Sequence, residues 1–233
     1  MVHNSWQKTI QSAYAELSNS YRAYLEEDNG YFPVKTHYLN AFTTLPKEKV
    51  RYILFGQDPY PRKESAIGYA FIDGKVKDIF SDSGLSKEVN RATSLRNFIK
   101  MVLVARGDLT FGDTSQEAIA QVDKTVLINT VQELKDNFEQ NGVLLLNTAL
   151  IFSSKTESRA HIKAWRPFVE RLLSEIREVN PTLILFGTHA KALRKLKGIE
   201  DFHSIELEHP YNHTFISNPE ALKLFAPMNL LAK

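Results

Sequence analysis

Three short runs of the chain are apolar at nearly every position and a fourth is more mixed, and each breaks off at polar or turn-forming residues. Val50 to Phe55 meets Gly56-Gln57-Asp58-Pro59-Tyr60, and Val143 to Leu146 meets Asn147-Thr148. Leu183 to Phe186 meets Gly187-Thr188-His189, and the more mixed Ser204 to Glu208 meets His209-Pro210. Continuous apolar runs of this length, separated by segments of helical period, predict parallel strands covered on both faces. Pro167 to Ile176 has apolar residues at helical spacing, with Pro167 suited to a first turn, and Ala190 to Leu196 makes the next crossover. Residues 5–28 predict one N-terminal helix with Trp6, Ile10, Tyr14 and Leu17 on a common face. Asp73 to Arg91 is polar and punctuated by Gly74, Ser81, Ser83 and Gly84, which predicts a long surface excursion; Ser94 then stands as N-cap of a further helix.

The pattern predicts an α/β fold: a single-domain three-layer sandwich over residues 1–233, with a central four-stranded, mostly parallel sheet flanked by helices. In open sheets of this kind ligands bind beyond the carboxyl ends of the strands. The strand ends would then offer Asp58, Asn147, Thr188 or His189, and His209 to one crevice. Taken alone, Asp58-Pro59 reads first as an ordinary acidic turn with Pro59 fixing the backbone.

Composition narrows the chemistry. With 233 residues, 43% of them hydrophobic, the chain can bury one sizeable core. It has no cysteine, which excludes disulfides, thiolate metal sites, iron–sulfur clusters and cysteine nucleophiles. No apolar run reaches the length of a membrane span, and Met1 to Lys8 lacks the apolar core of a signal peptide, so a cytoplasmic location is expected. A net charge of only +2 allows contact with a polyanion but requires it to be local.

Assembled in order, these segments resemble the family 1 uracil-DNA glycosylases. The family's Gly-Gln-Asp-Pro-Tyr-His is matched by Gly56 to Tyr60, with Pro61 in the last place, and its Gly-Leu-Ala-Phe by Gly68-Tyr69-Ala70-Phe71. Its Ser-Leu-Lys-Asn is matched by Ser94-Leu95-Arg96-Asn97, its Leu-Leu-Leu-Asn-Thr by Leu144 to Thr148, and its Gly-Ser-His-Ala by Gly187-Thr188-His189-Ala190. Its His-Pro-Ser-Pro-Leu-Ser is partly kept as His209-Pro210-Tyr211-Asn212-His213-Thr214. Each motif is weak alone; six in one order, over residues 40 to 225, are specific.

Breaking a deoxyribose–uracil bond puts positive charge on the sugar and negative charge on the base, so such a site needs an anion near one and hydrogen-bond donors near the other. By resemblance, Asp58 positions the attacking water and stabilises the sugar cation, and His209 hydrogen-bonds the uracil oxygen. Asn147 presents a carboxamide that can match uracil's O4 and N3–H and mismatch cytosine. Tyr60 is the candidate wall against a C5 methyl group, Phe71 the ring on which uracil stacks, and Gln57 a source of backbone contacts. Each of these side chains has a plainer reading, as a turn, cap or core residue. Ser94, Thr188 and the loop from Tyr211 to Thr214 stand where the family grips phosphates. His213 replaces the family's wedge leucine, and the expectation is that it enters the base stack helped by Phe215.

The resemblance implies a monomer that acts on uracil in single- and double-stranded DNA, with no cofactor or metal and no Schiff-base strand cleavage; a protein inhibitor or replication partner stays open. Pro61, the excursion from Asp73 to Arg91, Asn90 to Thr93 and His213 depart from the family pattern, and all fall on DNA-facing loops. Two other classes remain at this point: a catalytically weak DNA-binding accessory protein on the same fold, and an unrelated α/β hydrolase or nucleotide-binding protein. The second lacks both a Gly-x-Ser-x-Gly elbow and a phosphate-binding glycine loop.

Overall fold

The structure, a computed structural model, describes residues 1–27, 30–188 and 192–233. In chain order its elements are α1 (Gln7–Ala15), α2 (Asn19–Glu26), β1 (Tyr52–Gly56), β2 (Phe80–Ser81), β3 (Gly84–Leu85), α3 (Lys87–Arg91), α4 (Thr93–Arg106), α5 (Gln116–Ala120), α6 (Val131–Gln140), β4 (Val143–Asn147), α7 (Ser158–Glu175), β5 (Thr182–Phe186), β6 (Ser204–Leu207) and α8 (Pro219–Phe225). They form two compact units, one of residues 1–74 and 142–206, the other of residues 75–141 and 207–233.

The first unit is built on a four-stranded sheet in the order β4-β1-β5-β6. β1 pairs in parallel with β4 and with β5, in the registers Tyr52 to Val143 and Tyr52 to Thr182. Ile53, Leu54 and Phe55 are all buried, as are Leu144 to Leu146 and Leu183 to Leu185, so these strands are covered on both faces. On one face the cover is helical: Trp165, Phe168, Val169, Leu172 and Leu173 of α7 pack with Trp6, Ile10 and Ala13 of the N-terminal segment and with Ile53 and Phe55 in one core. The predicted α/β class and its four parallel strands are what the chain forms.

Four local expectations are corrected. The N-terminal helix is two helices, because Ser18 accepts a hydrogen bond from the Tyr21 N–H at 3.2 Å and starts α2 afresh. α7 begins at Ser158, nine residues before Pro167, which lies inside the helix. The excursion after Asp73 carries β2, β3 and α3 and buries Val76, Ile79, Leu85 and Val89, so it is not a surface loop. Ser94 is the second residue of α4, whose N-cap is Ala92 and carries no side-chain cap.

In the second unit α4 supplies the spine. Phe98 of α4 packs against Phe138 of α6, Phe225 of α8 and Phe215, with ring centroids 5.7, 5.0 and 6.3 Å apart. A capping box fixes the start of α6: the Glu133 N–H donates to Thr130 Oγ1 and the Thr130 N–H to Glu133 Oε2. No helix among the described residues is long and apolar enough to cross a membrane.

Candidate active site

β1 and β4 end side by side, with Gly56 opposite Asn147. A Cβ at position 56 would stand 2.2 Å from Asn147 Oδ1 and 3.0 Å from Ala70 Cβ. Only glycine lets the carboxamide lie across the end of β1. The loop that follows is held by its carbonyls: Thr148 N–H donates to Gly56 O at 3.0 Å, and Thr148 Oγ1 and the Ala149 N–H donate to Gln57 O at 2.6 and 3.0 Å. Gln57 and Asp58 therefore leave the sheet in a fixed direction.

The segment from Gly68 to Phe71 is hung on β4 by the Ala70 N–H, which donates to Leu145 O at 3.1 Å. Phe71 takes the left-handed conformation, φ +68°, which costs a residue with a side chain on the order of 1–2 kcal/mol. The Tyr60 hydroxyl donates to Phe71 O at 3.1 Å and helps hold that backbone. Burial, reinforced by the charge of Asp73, pushes the Tyr60 phenol well above its ordinary pKa, so it stays a donor. The Phe71 ring lies 6.3 Å from that of Phe186 at the end of β5, tilted by 50°. Tyr60, Phe71 and Asn147 are thus brought to the same strand ends as Gln57 and Asp58.

Asp58 is half-buried and accepts a hydrogen bond from Ser158 Oγ at 2.5 Å. Ser158 is buried at the first position of α7. One turn further, His161 contacts the Tyr21 hydroxyl through Nδ1 at 2.7 Å and Ser153 Oγ through Nε2 at 2.8 Å. Burial holds the His161 pKa below its ordinary value, against the opposing pull of Glu157 and Asp58. Neither Ser158 nor His161 was found from the sequence. The only signal was the spacing 158, 161, 165, 168 and 169, which continues the buried stripe of α7 backwards through two polar residues.

In the second unit, Asn97 of α4 fixes the loop after His209. Its Nδ2 donates to Pro210 O at 2.8 Å, Tyr211 O at 3.2 Å and Asn212 O at 3.3 Å. The Tyr211 N–H donates to His209 Nδ1 at 3.0 Å, which leaves the ring proton of a neutral His209 on Nε2. Glu208 accepts from Thr214 Oγ1 at 2.5 Å and from Asn218 Nδ2 at 3.1 Å. Burial pushes the Glu208 carboxyl up, but these bonds outweigh it and hold the pKa low.

Of the predicted DNA contacts, Tyr211, His213 and Thr214 are exposed on this loop, Tyr211 at 67%. Ser94 is half-buried near the start of α4, and Thr188 is exposed after β5. His189 and Ala190 lie outside the described residues. Phe215 is not exposed: it is fully buried against Phe98, and the expectation that it assists a wedge is withdrawn.

The model of the uracil DNA glycosylase superfamily matches residues 42–231. Uracil-DNA glycosylase of Campylobacter lari is 24% identical over 218 residues, covering 90% of this chain and 81% of its own length. That of Fusobacterium nucleatum is 26% identical over 216 residues with the same coverage. Among solved structures, wild-type UNG from Nitratifractor salsuginis is 59% identical and superposes with a TM-score of 0.98, covering all of this chain and 93% of that one. Mimivirus uracil-DNA glycosylase, 18% identical with a TM-score of 0.58 over 90% of this chain and 69% of its own, shares the fold. A family model spanning most of the chain, with a close structural relative along all of it, places the chain in the uracil DNA glycosylase superfamily.

Proposed function

We propose that the chain, acting over residues 1–233 as one glycosylase domain, hydrolyses the N-glycosidic bond of an extruded deoxyuridine in DNA. The bond between C1′ and N1 breaks with its electron pair going to uracil, and water adds to C1′; uracil leaves and an abasic site remains. The observation that carries this reading is the pairing of Gly56 with Asn147, which sets a carboxamide at the end of β4 beside the Asp58 loop at the end of β1.

Asp58 carries the negative charge that stabilises the sugar cation and orients the water. Asn147 reads the pairing edge of uracil, Phe71 stacks on it, Tyr60 closes the space where thymine carries its methyl group, and Gln57 supplies backbone contacts. His209, with its proton on Nε2, donates to the uracil oxygen as charge develops there. Ser94, Thr188, Tyr211, His213 and Thr214 contact the DNA backbone and the vacated stack. We further read the protein as a cytoplasmic monomer that accepts uracil in single- and double-stranded DNA.

The test is release of free uracil from a labelled oligonucleotide in the presence of a chelator, with Asn147→Asp in parallel. Wild-type protein should release uracil only, whereas the aspartate variant, with its altered donor pattern, should also release cytosine. No uracil release by the wild type would remove the reading; an aspartate variant of unchanged selectivity would remove Asn147 from the pocket.

A further inference from the structure

A cavity of about 420 Å³ opens beside the strand ends of the first unit, with Gly56, Gln57 and Thr148 on its rim. Four cationic residues, Arg159, Lys163 and Arg166 of α7 and Lys195 opposite them, form its other walls, over an apolar floor that includes Ile162 and Leu196. Arg166 is committed: it pairs with Glu170 at 2.7 Å and donates to Lys195 O at 2.5 Å. The nearby Glu157 is likewise occupied by the hydroxyls of Ser153 and Ser154. Arg159, Lys163 and Lys195 are exposed and have no acidic partner among the described residues.

That arrangement works against the helix. Arg159 is its second residue, where the helix dipole disfavours a cation. Lys163 stands four residues on, so the two like charges are neighbours on one face and repel. Neither cost brings a compensating ion pair among the described residues, and both are relieved by an anion in the cavity. Since the net charge of the whole chain is only +2, this is a local concentration of positive charge and not part of a general one.

We propose that the cavity takes the sugar–phosphate backbone of the DNA strand flanking the extruded nucleotide, with Arg159, Lys163 and Lys195 on its phosphates and the apolar floor under its deoxyribose. The inference rests on the glycosylase reading, because the rim residues directly adjoin Asp58 and Asn147. A strand whose sugar is held at Asp58 carries its next phosphates past that rim.

The test measures binding of a duplex containing 2′-fluoro-2′-deoxyuridine, which resists cleavage, by fluorescence anisotropy between about 50 and 200 mM KCl. Arg159→Gln and Lys163→Gln should each lower the slope of log affinity against log salt by about 0.9, the value for one neutralised duplex phosphate. Lys8→Gln, an exposed lysine of α1 away from the cavity, should keep the wild-type slope. Wild-type slopes in both cavity variants would make the cation row an ordinary solvated face and overturn the proposal. Calorimetric binding of inorganic phosphate that is lost in the variants while their DNA slopes stay unchanged would make the cavity a free-anion site and equally overturn it. Wild-type protein that binds no uracil DNA at all would instead strike the glycosylase reading.

Discussion

Replacing Asp58 by asparagine keeps the shape of the side chain and removes its charge, so the loss should fall on kcat, by about two to four orders of magnitude, with DNA binding little changed. Ser158 acts through Asp58, since its hydroxyl donates to that carboxylate. A hydrogen bond to a charged group is worth about 1.5–3 kcal/mol, so Ser158→Ala should lower kcat roughly tenfold to a hundredfold, and Ser158→Thr should restore part of it. In an Asp58→Asn background the same change should cost nothing further, which single-turnover rates of all four proteins would establish. Equal losses in both backgrounds would make Ser158 a packing residue of α7. Its role was illegible in the sequence for a physical reason. The first two buried positions of α7, Ser158 and His161, are polar, the one bonded to Asp58 and the other to Tyr21 and Ser153, and a helix found by its apolar spacing starts only where those positions end. Asp58 and Asn147 stood out in the sequence because one follows β1 by two residues and the other ends β4, and both strands carry an unbroken apolar run.

At the scale of elements, the loop from His209 to Thr214 is where the motif expected by resemblance is least complete and where the structure adds most. Asn97 ties down its backbone at three successive carbonyls, so its side chains project from a fixed platform. A flipped nucleotide leaves a gap in the duplex that something flat or apolar has to fill. Phe215 is spent on the core, which leaves His213 and Tyr211, both exposed. The double variant His213→Gly, Tyr211→Ala should therefore slow uracil release from duplex DNA several-fold more than from single-stranded DNA, where there is no opposing stack. Equal slowing on the two substrates would count against a wedge in this loop. The burial of Phe215 could not be read from its alternation with Tyr211 and His213, because the residues from His213 to Ser217 form a 3-10 helix, which turns the Phe215 side chain inward. The excursion after Asp73 misled in the same way: its polar composition concealed Val76, Ile79, Leu85 and Val89, four buried apolar residues scattered among polar, charged and glycine positions.

For the whole molecule, the sheet was the most legible part, because strands covered on both faces have to be apolar without interruption, and β1, β4 and β5 are. What the apolar runs could not reveal is the order in which they can meet. Tyr52 pairs with Val143 on one side and Thr182 on the other, and all of residues 75–141 lie between the first strand and either partner. Pairing between segments so distant along the chain is slow, and it leaves an unpaired strand exposed in the meantime. During synthesis β1 must therefore wait, as an unpaired apolar edge, until the ribosome has delivered β4 and then β5. Nascent chains arrested at residue 141 should be cut readily by protease within residues 50–56, and resistance should begin only once β5 has cleared the exit tunnel. Protection of that segment in the chain arrested at 141 would show that β1 is sheltered before its partners exist.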